Sequence, residues 1–104
     1  MLSNDQLQLL AAIQSLAASG RAQTGRYVQH DVDFLANGAT VSCVKCREDG
    51  YLVHITNAIV SANGKETAAD APPEFIGEHE CTLAQQRDRL ARWIVAHRIT
   101  KEAA

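Results

Sequence analysis

Residues 28–55 read VQHDVDFL-ANG-ATVSCVKCR-EDG-YLVHI, three runs of alternating apolar and polar positions separated by two glycine-containing breaks. A period of two places successive side chains on opposite faces of a strand. An Asn-Gly pair between such runs is a strong hairpin signal, because a type I′ turn needs positive φ at both central residues. With Asn37-Gly38 as a two-residue loop, Phe34 faces Val41 and Val32 faces Cys43. One face then gathers Val28, Val32, Phe34, Val41 and Cys43, and the other Asp31, Asp33 and Ser42. The second break fits a three-residue loop, Glu48-Asp49-Gly50, with glycine in the left-handed position. Lys45 then faces Val53 and Cys43 faces Ile55, and both Val53 and Ile55 join the apolar face. A third Asn-Gly, Asn63-Gly64, turns residues 58–61 back onto a weaker strand over 65–69.

Helical periodicity flanks these runs. Ser3 is an N-cap for a helix to about Ala18, with Leu9, Leu10, Ile13, Leu16 and Ala17 at helical spacing and Gly20 as its stop. Thr82 caps a second helix to about Arg98, whose stripe is Leu83, Leu90, Trp93, Ile94 and His97. Residues 68–80 contain Pro72-Pro73 and Gly77 and read as a loop crossing the sheet. The predicted fold class is α+β: an antiparallel β-meander of three to four strands flanked by an N-terminal and a C-terminal helix, both on one sheet face. Its predicted core is Leu9, Ile13, Leu16, Val32, Phe34, Val41, Cys43, Val53, Ile55, Leu90 and Ile94.

Composition narrows the class. A chain of 104 residues is expected to form a single domain, 1–104, and an apolar share of 46 % excludes wholesale disorder. No apolar run is long enough to span a bilayer, and nothing resembles a basic-then-apolar leader. Three cysteines without a secretion signal point to reduced thiols and a cytoplasmic location.

The net charge of −2 hides an asymmetry. Glu66, Asp70, Glu74, Glu78 and Glu80 crowd one segment with no basic partner, and Arg87, Arg89, Arg92 and Arg98 follow in the next. The first set is the expected partner-binding surface, since binding residues concentrate in loops on a rigid scaffold. The second is the alternative, a basic face suited to phosphate or an acidic protein.

Candidate chemistry is sparse. Cys43 and Cys46 form a C-x-x-C, the spacing of many zinc and redox sites, but residues three apart on one strand point to opposite faces. His54, His79 and Cys81 do not complete a ligand set, so no metal is expected. His30 and Cys43 are too far along the ladder for a nucleophile–base pair. No phosphate-binding glycine loop, nucleophile elbow or H-E-x-x-H occurs. No catalytic residue and no cofactor are predicted.

A second arrangement lays residues 28–52 onto a different frame. Val28, Val32 and Phe34 hold a first helix and turn, Ala39, Cys43 and Cys46 form the seam of a second helix over 36–48, and Gly50-Tyr51-Leu52 opens a β-wing. In this the chain resembles winged helix-turn-helix proteins, which implies a DNA-binding regulator. Gly38 and the β-branched run TVSCV oppose that helix. In size and lack of motifs the chain also resembles small phage and mobile-element proteins, such as anti-CRISPR inhibitors. The expected function is therefore binding to another protein without catalysis, as inhibitor, adaptor or accessory subunit. The alternative is a winged-helix regulator whose partner is nucleic acid; neither reading involves a membrane.

Overall fold

The computed structural model describes residues 2–69 and 80–99. The order of elements is α1 (Asn4–Thr24), β1 (Val28–Phe34), β2 (Thr40–Glu48), β3 (Tyr51–Val60), a 3-10 turn (Thr67–Ala69) and α2 (Leu83–His97). The strands form one antiparallel sheet in the order β1-β2-β3, with both helices on one face. This is the expected α+β meander. Thr40–Glu48 is a strand, where the winged-helix arrangement requires a helix.

The helix boundaries follow from local chemistry. Ser3 and Thr82 each accept a hydrogen bond from the third residue of their helix, and the Gln6 and Gln85 side chains return the bond to the cap backbone. Gly20 does not stop α1. The helix continues to Gly25, whose positive φ of 67° and N–H bond to Arg21 O end it. Gly20 marks the helix crossing instead, since a Cβ there would lie 3.1 Å from Ile94 Cδ1.

The two hairpin turns exchange the types expected of them. Residues 36–38 form a three-residue loop: Leu35 N–H donates to Ala39 O and Gly38 N–H to Leu35 O, with Gly38 at φ 89°. Asn37 does not adopt positive φ, so a type I′ turn cannot form; its Oδ1 accepts from Ala39 N–H instead. Asp49 and Gly50 do both adopt positive φ, at 50° and 84°, and close a two-residue turn between Glu48 and Tyr51. Phe34 therefore pairs with Thr40 and Val32 with Ser42. Residues 62–64 repeat the first loop's hydrogen bonds. The weak strand over 65–69 is reduced to one bridge, Val60 to Glu66, followed by the 3-10 turn.

A slip of one residue exchanges the faces of a strand. Thr40, Ser42, Val44 and Cys46 of β2 face the helices, while Val41 and Cys43 lie on the other face with Asp31 and Asp33. The core is Ile13, Ala17, Val28, Val44, Ala58, Val60, Leu83, Leu90 and Ile94. Ile13, Leu90 and Ile94 keep their predicted places, and Leu9, Leu16 and Ile55 pack at its margin. Val32 and Val41 are half-buried, Val53 is exposed and Phe34 is 74 % exposed, so these are corrected as core members. The two-residue turn sets Lys45 opposite His54, and a bulge between Val44 and Lys45 shifts the β2–β3 register once more, setting Cys43 opposite Asn57.

Candidate functional site

The two edges of the sheet are finished differently. Along β3 the following chain covers the C-terminal part of the edge: Glu66 bridges to Val60, Glu80 bridges to Asn57, and Cys81 N–H donates to Asn57 O at 3.0 Å. Along β1 no described strand follows. Tyr27 O accepts from Arg47 N–H, and Leu35 N–H donates to Ala39 O. In an antiparallel ladder every second residue bonds inward, so Gln29, Asp31 and Asp33 bond to β2. The N–H and C=O groups of Val28, His30, Val32 and Phe34 point outward. Arg21 Nε occupies the Val28 carbonyl at 2.6 Å. The outward groups of His30, Val32 and Phe34 meet no hydrogen-bonding partner among the described residues.

A groove of about 460 Å³ runs beside this edge, with Ala17, Ala18 and Arg21 of α1 on one wall and Gln29, His30 and Asp31 on the other. Tyr27 ends it, with the Arg21 guanidinium 4.6 Å and the Arg47 guanidinium 5.6 Å from its ring centre. Phe34 and Leu35 are exposed at the opposite end of the strand.

His30 ties the groove to the core. Its Nε2 lies 2.8 Å from Ser42 Oγ, which donates to Gln86 Oε1 at 2.7 Å; its Nδ1 lies 2.8 Å from Gln14 Oε1. With the Ser42 proton committed to Gln86, Nε2 must donate. An oxygen at Nδ1 would then require a charged ring, yet burial holds the His30 pKa below the ordinary histidine value, with Asp31 opposing weakly. A half-turn of the exposed Gln14 amide, presenting its NH2 to Nδ1, satisfies a neutral ring. We favour that arrangement because Gln14 is free to turn and His30 is not.

The cysteines sit apart. Cys46 is buried in the core and Cys43 lies on the opposite sheet face. Burial pushes the Cys43 thiol up, Lys45 opposes this, and Asp31 and Asp33 add to it. Burial likewise raises Cys81 against the pull of Arg89. Both are held as thiols, the less nucleophilic form. Among the described residues, no three of His, Cys, Asp and Glu converge as metal ligands.

The described members of the two charged sets lie at different places on the fold. Glu66 Oε1 accepts from Leu83 N–H at 2.6 Å and so caps α2, and Glu80 O accepts from Arg89. Asp70, Glu74, Glu78 and His79 lie outside the described residues. Arg87 pairs with Asp88 beside the α1–α2 groove, Arg92 is exposed, and Arg98 leaves the helix to bond Gln23. Sequence reasoning missed the β1 edge, which follows from strand order and ladder phase rather than composition.

No described helix is long and apolar enough to cross a membrane. The chain matches no protein-family model, no curated protein and no solved structure.

Proposed function

We propose that this protein acts by binding another protein without turnover, as an inhibitor, adaptor or accessory subunit in the cytoplasm, and that the partner adds an extended strand to the edge of β1. The β1 edge carries the reading: Glu66 and Glu80 cover the β3 edge at Val60 and Asn57, while the backbone of His30, Val32 and Phe34 meets no partner among the described residues and lies beside a groove. Strand addition draws affinity from such main-chain groups and specificity from pockets for alternate side chains. The groove between β1 and α1 supplies a place for one of the two sets. The raised thiols of Cys43 and Cys81 support binding over nucleophilic catalysis.

Proline substitution tests this directly. The N–H groups of Val32 and Phe34 are not in the β1–β2 ladder, so proline there removes an outward donor and spares the sheet. Peptides selected from a random library against the wild-type chain should lose binding to Val32→Pro and Phe34→Pro. They should also slow hydrogen exchange at the His30, Val32 and Phe34 amides. Selected peptides that bind both variants unchanged and protect other amides would refute the reading.

A further inference from the structure

The open face of β1 carries Asp31 and Asp33, two residues apart and both bonded inward through their backbones. Asp31 accepts a hydrogen bond from Gln29, and among the described residues neither carboxylate is in an ion pair. Lys45 shares this face, one strand away opposite Gln29. On an edge strand, these carboxylates flank the line along which an added strand would lie.

Directly opposed residues of neighbouring strands share a face, and opposite charges there are favourable while like charges are not. A strand on the β1 edge would set two of its residues beside Asp31 and Asp33 on the open face. The residue between them would face the helices beside Val32, which is half-buried. Resting on the strand-addition reading, we propose that the partner segment has the pattern basic–apolar–basic, with its two cations against Asp31 and Asp33.

The same rule argues against a second copy of the chain. Antiparallel pairing of β1 with itself must oppose even-numbered residues, whose backbones point outward. Centred on residue 31 it sets Asp31 against Asp31 of the copy, and centred on residue 32 it sets Asp31 against Asp33 twice. Centred on residue 30 it leaves the two Asp31 carboxylates diagonal, about 7–8 Å apart. Each arrangement gathers four acidic groups on one face with no cation between them.

Two blocked peptides, one alternating lysine with valine and one alternating glutamate with valine, test the rule by titration against the full chain. The lysine peptide should bind about tenfold more tightly, since two exposed pairs become attractive instead of repulsive. The double variant Asp31→Asn, Asp33→Asn should erase most of that ratio, as should raised salt. Val32→Pro should abolish binding of either peptide. Equal binding of both peptides, lost in Val32→Pro, would overturn the charge pattern and leave strand addition standing. Binding of neither peptide, or binding that survives Val32→Pro, would overturn both. A dimer in sedimentation that dissociates in Val32→Pro would show the second copy to be the occupant and overturn the pattern. Because Asn is close to Asp in shape and both side chains reach solvent, unchanged circular dichroism will separate lost binding from lost folding.

Discussion

Ser42 and Gln86 bond each other reciprocally at the centre of the fold. Ser42 Oγ donates to Gln86 Oε1 at 2.7 Å, and Gln86 Nε2 donates back to the Ser42 carbonyl at 3.0 Å. Both side chains are fully buried, and the pair fastens β2 to α2. A buried polar group left without its partner costs about 1–3 kcal/mol. Gln86→Leu should therefore lower the unfolding free energy by about that amount despite its greater hydrophobicity. Adding Ser42→Ala should cost less than it does alone, because the hydroxyl has already lost Gln86, although its removal also takes the acceptor from His30 Nε2. Urea denaturation of the two single variants and the double variant measures this; additive effects would show that the pair is not coupled.

His30 gives the fold a defined pH response. Its folded pKa lies below the unfolded value of 6.5 because burial disfavours the charged ring, more than Asp31 favours it. Between the two values the unfolded chain binds more protons than the folded one, so stability rises with pH there. The His30 contribution is complete above 6.5. It falls as the pH drops from that value to the lowered folded pKa, and is constant below. His30→Asn should flatten the corresponding limb of a stability–pH curve relative to wild type. Identical slopes for the two proteins would rule out His30 as its source.

The helices are legible in the sequence because their signals are local. Ile13, Leu90 and Ile94 recur at helical spacing, and Ser3 and Thr82 stand where their caps form. The sheet is legible as a meander but not in register, and the reason lies in two turns. Asn37 uses its side chain to bind Ala39 N–H at negative φ, whereas Asp49 enters the left-handed region. An Asn-Gly and an Asp-Gly pair carry the same formal signal, and choosing between them decides which face of β2 is buried. Apolar alternation then favours Val41 and Cys43, while the actual core accepts Thr40, Ser42 and Thr56. Ser42 is admitted because Gln86 reaches it from a helix 44 residues along the chain, a contact no local pattern reveals. The β1 edge is hidden for a related reason: which backbone groups point outward depends on the phase of the ladder.

The corrected register makes Phe34 and Val44 a diagnostic pair. Phe34 is 74 % exposed and Val44 is fully buried. Phe34→Ala should cost less than about 1 kcal/mol, far below the 3–5 kcal/mol of a core phenylalanine. Val44→Ala removes fewer atoms but leaves a cavity between β2 and the helices, and should cost about 2–3 kcal/mol. Chemical denaturation that reversed this order would restore the pairing of Phe34 with Val41.

Glu66 separates a structural carboxylate from a binding one. Its Oε1 accepts from the N–H of Leu83, the first residue of α2, at 2.6 Å. The first-turn N–H groups of a helix have no intrahelical acceptor and carry its positive dipole end. A carboxylate there gains both a charge-assisted hydrogen bond and a favourable field. Glu66→Ala should therefore destabilise the protein by about 1 kcal/mol, comparable to loss of a helix cap. Glu66→Gln keeps an acceptor without the charge and should lose less, with the remaining deficit shrinking as salt rises. Neither change touches the β1 edge, because Glu66 lies at the opposite side of the sheet beside Val60. Affinity for a strand-forming peptide should stay at the wild-type value in both variants. If Glu66→Gln instead weakened peptide binding and left stability intact, the acidic segment would be the contact surface, and the carboxylate's bond to Leu83 would be secondary.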